Sequence, residues 1–204
     1  HAFFKALLFL GSGSVIHSLS NEQDMRKMGG LWNKIPITYS LMWIGSLALA
    51  GVPFFAGYYS KDLILETAWA SNSFHGYFAF WLGCVAAFIT AFYSWRLILL
   101  TFHGSSNSSK KVMTHIHESP LVMLIPLFIL AFGALISGWF FYDSFTGHHW
   151  HDFWGHSIYI SSTNNAMEQA HYVPKWVKLL PVLLAISGIF LAYLFYIFIP
   201  NLPS

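Results

Sequence analysis

Gly51-Val52-Pro53-Phe54-Phe55-Ala56-Gly57 lies inside an uncharged run, residues 35–60, and is soon followed by Lys61-Asp62. A helix needs about 20 apolar residues to cross the hydrocarbon core of a bilayer, and this run is long enough. Yet it carries Pro between two Gly at mid-depth. Pro removes a backbone donor and clashes with the preceding turn, and Gly resists helix on entropic grounds. One reading is a simple proline kink. The other is a discontinuous helix, which a membrane tolerates only where the bared backbone is buried in protein or lines water. The charges that follow the break favour the second reading.

Working outward, residues 76–95, 121–142 and 179–200 are also free of Asp, Glu, Lys and Arg. Residues 2–16 are interrupted only by Lys5. The runs are apolar all round, without long alternation, so helices are expected rather than a barrel. The expected fold is an all-α membrane protein, a bundle of about five transmembrane helices with one discontinuous. The expected segments are 1–17 (a partial span with a central lysine), 35–70 (the broken span), 76–103, 120–142 and 179–200. Loops are expected at 18–34, 71–75, 104–119 and 143–178. Pro126 reads as an ordinary kink. His1 stands where a start methionine would, with no charged n-region or cleavage site, so a signal peptide is not expected and both ends read as cut points.

Composition agrees. The 204 residues are 56% hydrophobic, 19% aromatic and 9% charged, with mean hydropathy +0.55. Soluble domains carry about 25% charged residues, so a soluble fold and disorder are both excluded. The net charge of +2 gives no footprint for nucleic acid. The single cysteine, Cys84, cannot build a disulfide framework or a Cys-ligated cluster. Arg26, Lys27, Lys34, Lys110 and Lys111 fall in the first and third loops, which places those loops on the cytoplasmic or matrix side.

Ionisable groups within the bilayer are functional candidates. Lys5 lies about 18 Å along its helix from the boundary near His17, too deep for easy snorkelling. Desolvation disfavours the charged amine there, so such a lysine can give up and regain a proton. His1, four residues earlier, shares its helix face and titrates near neutrality. Together they form a candidate two-step relay; the alternative is a structural lysine paired with an acid elsewhere. Lys61 and Asp62 either mark the end of a span or open a second half-helix. In the latter case the helix N-terminus weakens the ammonium, Asp62 offsets this, and Lys61 can hand protons to the far side. Glu66 lies one turn further. Arg96 keeps its charge and suits an interfacial clamp. His148, His149, His151 and His156 lie in the long loop, but their spacing matches no closed metal site, and haem ligation is set aside because His75 and His103 fall at opposite ends of one span.

His1-Ala2-Phe3-Phe4-Lys5-Ala6-Leu7-Leu8-Phe9-Leu10-Gly11-Ser12-Gly13 resembles a core segment of the largest antiporter-like subunit of respiratory complex I, NADH-quinone oxidoreductase. That subunit is called L in bacteria and chain 5 in mitochondria. Gln23-Asp24-Met25-Arg26-Lys27-Met28-Gly29-Gly30-Leu31, the stretch from Leu47 to Gly57, Ser60-Lys61-Asp62 and Thr90-Ala91-Phe92-Tyr93-Ser94-Trp95-Arg96 agree with it. The resemblance implies two inverted five-helix repeats, each with a broken helix, of which this chain holds the end of the second. It places the family's central lysine on Lys5, its relay histidine on His1 and its far-side lysine on Lys61, beside Asp62. It implies a subunit that carries no cofactor, with NADH, FMN, iron–sulfur clusters and quinone held by other subunits. Its partners are then the other membrane subunits, above all a neighbouring antiporter-like one, and the lipid bilayer. The implied location is the bacterial inner membrane, with the mitochondrial inner membrane as alternative. Two other functions are weighed: a subunit of a multi-subunit cation/proton antiporter, and a structural membrane scaffold.

Overall fold

The computed structural model describes residues 1–147, 149–159, 161 and 164–200, and the side chains of Lys110 and Lys111 are left aside. His148 therefore lies outside the described residues. The described residues form helices α1 (Ala2–Ser18), α2 (Pro36–Ala50), α3 (Ala56–Ala70), α4 (Phe74–Phe102), α5 (Lys110–His115), α6 (Leu121–Phe145), α7 (Trp150–Trp154), α8 (Ala166–Ala170) and α9 (Lys175–Tyr193). A short 3₁₀ turn, Met25–Lys27, follows α1, and a π-helical segment, Leu194–Phe198, continues α9.

Among the described residues, three helices are long and apolar enough to cross a membrane: Phe74–Phe102, Leu121–Phe145 and Lys175–Phe198. Helices α1 and α2 are shorter apolar helices. At 15 residues, α2 spans only about 22 Å, less than a bilayer core. The run at residues 35–70 is thus two helices in series, not one kinked rod.

The break is a built helix end. Gly51 adopts φ +79°, the left-handed conformation that Gly enters without strain. The Gly51 amide donates to Ala48 O and the Val52 amide to Leu47 O, the bonding pattern of a Schellman cap. Phe54 also has positive φ, at 78°. Gly57 then lets the two halves touch: a Cβ there would stand 1.7 Å from Ala48 O. By contrast, Pro126 lies inside a continuous α6, as an ordinary kink position would.

Helix α1 packs on α2 and α6 through Phe4, Leu7, Leu41, Ala48, Leu127 and Ala131. A second core, around Ala50, Ala91, Trp95 and Ala185, joins the end of α2 to α4 and α9. Small residues allow that approach: a Cβ on Gly188 would meet Phe88 O at 2.5 Å. The first and third loops are knitted together. The Gly30 amide donates to His103 O, the Asn107 amide to Met28 O, and the Ser108 hydroxyl to Lys27 O. The outward faces stay apolar, as Phe74 (81% exposed) and Val122 (82%) illustrate.

Candidate functional site

Lys61 lies in the second turn of α3, not the first. Its side chain runs back across Gly51, and its Nζ donates to Ala50 O at 3.1 Å. Ala50 is the last residue of α2, so this carbonyl has no partner within its own helix. The helix end that meets the ammonium is therefore the C-terminal end of α2, with its partial negative charge, rather than the N-terminal end of α3. Asp62 follows on a different face and is buried, 7% exposed. Glu66 stands one helical turn beyond it, half-buried, within electrostatic range of Lys178 from α9.

A cavity of about 280 Å³ adjoins Lys61. Its walls include His1 and Phe4 of α1, Gly57 and Ser60 of α3, and Thr90 of α4. A second cavity, about 370 Å³, opens between α1, α3 and α6, and shares His1 and Ser60 with the first. Tyr59, Ser137 and Tyr142 line it. His1 thus stands between two spaces, one of which reaches Lys61.

Lys5 stands one turn along α1 from His1, on the same side of the helix, but lines neither of these two cavities. It is exposed, as are Ala2, Phe9 and Gly13 along the same side, while α2 and α6 take the opposite face. The structure brings His1 and Lys61 to one cavity and leaves Lys5 outside it. Arg96 is half-buried: its Nε donates to the Tyr196 hydroxyl at 2.8 Å, its Nη1 to Met25 Sδ at 3.6 Å, and its guanidinium lies 5.8 Å from the Tyr196 ring. It ties α4 to the π-helical segment and to the first loop.

In the long loop, His149 Nδ1 pairs with Asp143 at 2.5 Å, and that carboxylate raises the imidazole pKa above its ordinary value. Among the described residues no three His, Cys, Asp or Glu converge on a metal-sized site. In the first loop, hydrogen bonds from Arg26 hold the Asp24 carboxyl down at about 2. Thr90 and Ser60, which line the Lys61 cavity, were not evident from sequence, because a hydroxyl on an apolar helix gives no sign of which side it faces.

Residues 1–90, which include α1, the break, α3 and the cavity, match the family described as NADH:quinone oxidoreductase/Mrp antiporter, transmembrane. Residues 93–148, with Arg96 and α6, match the NADH dehydrogenase subunit 5 C-terminus. NADH-ubiquinone oxidoreductase chain 5 of Phytophthora infestans is 52% identical over 97% of this chain. The same-named proteins of Marchantia polymorpha and Chondrus crispus are 48% and 49% identical over 95% and 98% of it. The chain belongs to the NADH-ubiquinone oxidoreductase chain 5 family. It spans 30% of the length of the Phytophthora and Chondrus relatives and 29% of the Marchantia one. As a chain 5 segment it is a multi-pass membrane chain whose broken helix falls within the matched region.

Proposed function

We propose that this segment forms part of the proton path of a membrane subunit of NADH-ubiquinone oxidoreductase, driven by redox chemistry in other subunits. The observation that carries the proposal is the Lys61 ammonium on Ala50 O, beside a cavity that His1 also lines. A lysine there can keep its proton while hydrogen-bonded to the helix end and pass it on when that bond breaks. Lys5 and His1 act upstream as carrier and relay, with His1 reaching Lys61 through water in the shared cavity. Asp62 and Glu66, one turn apart, continue the path toward the far side. NADH, FMN, iron–sulfur clusters and quinone belong to other subunits, and the residues here serve only protons. The five spans form the end of the second inverted repeat, with the first and third loops on the matrix side; their mutual hydrogen bonds support a shared face. The eukaryotic relatives favour the mitochondrial inner membrane over a bacterial one. Chain 5 relatives likewise favour this reading over a free-standing antiporter or a scaffold.

The test is Lys61→Arg in the full-length assembled complex. Arginine can keep the hydrogen bond to Ala50 but cannot release its proton at working pH. Assembly is expected to survive while protons pumped per NADH oxidised fall. Normal pumping in Lys61→Arg would sink the reading.

A further inference from the structure

Helix α2 starts without a cap of its own. Its N-cap residue is Ile35, which has no side-chain acceptor, and Pro36 has no N–H, so Ile37 and Thr38 present the first free donors. The acceptor comes from far along the chain. Glu118, in the segment between α5 and α6, takes hydrogen bonds from the Ile37 amide at 2.9 Å, the Thr38 amide at 3.3 Å and the Thr38 hydroxyl. Behind it, Thr38 Oγ1 lies 3.1 Å from Ser14 Oγ of α1, and Ser14 Oγ lies 2.5 Å from Ser119 Oγ. The three hydroxyl residues are buried: Thr38 is 0% exposed, Ser14 1% and Ser119 5%.

Two roles fit a carboxylate joined to a row of hydroxyls: a proton inlet, or a latch. The geometry decides between them. The row runs from Glu118 through Thr38 and Ser14 to Ser119, and Ser119 is the chain neighbour of Glu118, so it closes on itself instead of leading inward. Ser14 is also nine residues from Lys5, about 13 Å along α1. What the cluster does span is three helices. It holds the end of α1, the start of α2 and the residue just before Pro120, the cap of α6. These are the helices that carry His1 and Lys5, and the carbonyl on which Lys61 rests.

We infer that Glu118 is a positioning residue for proton transfer, fixing α1 against α2 so that His1 stays in reach of Lys61. The inference rests on the proton-path reading above. Its test compares Glu118→Ala, Glu118→Gln and Thr38→Val in the full-length complex, reading amide exchange at Ile37 and Thr38 together with protons pumped per NADH. Glu118→Ala is expected to raise exchange at both amides about tenfold, the loss of one charge-assisted hydrogen bond, and to lower pumping. Glu118→Gln keeps an acceptor oxygen and is expected to spare most of both. Thr38→Val leaves the backbone cap but cuts the link to Ser14, and is expected to lower pumping with Ile37 exchange unchanged. It also serves if Glu118→Ala does not assemble. Faster exchange with normal pumping in Glu118→Ala and normal pumping in Thr38→Val would overturn the positioning role, whatever Lys61→Arg shows. Equal loss of pumping in Glu118→Gln and Glu118→Ala, with exchange unchanged in Glu118→Gln, would make Glu118 a proton carrier and overturn it too.

Discussion

Lys61 satisfies a carbonyl that nothing else in α2 can reach, so its side chain has a structural and a chemical task at once. That changes what substitutions there should do. Lys61→Glu keeps a titratable group but reverses its charge. With Ala50 O as the partner, a carboxylate would meet an acceptor and the negative end of α2, and Lys61→Glu is expected to assemble less well than Lys61→Ala. Quantifying assembled complex on a native gel would check this; equal yields would contradict it. Lys5 is tested by Lys5→Arg, which keeps charge and length but cannot cycle a proton. It is expected to assemble and to pump less, and unaltered pumping would assign Lys5 a structural role. His149 offers a pH test. Its pairing with Asp143 raises its pKa, so the contact is in force below the ordinary histidine value and is lost as pH rises through the raised one. Imidazole shifts should show His149 titrating above about 6.5, and Asp143→Asn should bring it back. No change on Asp143→Asn would refute the pairing. Lys61 and Asp62 were legible in sequence because charge after a Gly-Pro-Gly break is rare in an apolar run. The orientation of Lys61 was not, because it depends on a reach back across Gly51 to the preceding helix. Glu118 was missed for a similar reason: its donors lie 80 residues away, and only the folded chain brings them together.

At the scale of elements, the broken helix depends on two glycines with different tasks. Gly51 supplies the left-handed cap, and Gly57 lets α3 cross the end of α2 at backbone contact. In Gly57→Ala the new methyl cannot coexist with Ala48 O, so α2 and α3 must part. A cost of about 1–3 kcal/mol is expected, typical of overpacking, with Lys61 drawn off Ala50. A lower midpoint of thermal disassembly would check it, and an unchanged midpoint would show that the crossing is looser than the structure has it. The break was readable because Gly and Pro act locally. The lengths of the other spans were less so: α4 runs past its charge-free window and α9 starts before its own, because helix continues beyond the apolar stretch wherever polar residues can reach an interface. The pairing of the first and third loops through Gly30, His103, Met28 and Asn107 had no sequence signature at all.

At the scale of the molecule, the three long spans and the outward apolar faces describe a chain built to be surrounded by lipid and by other helices. Lys5 sits on one of those outer faces, so its role depends on what covers α1 in the longer protein. His1 and Lys61, in contrast, line one cavity within this chain, and that shared cavity is the central claim. The most direct measurement is a double-mutant comparison of His1→Ala and Lys61→Ala, alone and together, in the assembled complex reconstituted in vesicles. The quantity read is protons moved per NADH oxidised. If the two side chains serve one path through the shared cavity, the double variant should lose little more than the worse single variant. Losses that simply add would mean that His1 and Lys61 act independently, and would contradict the account.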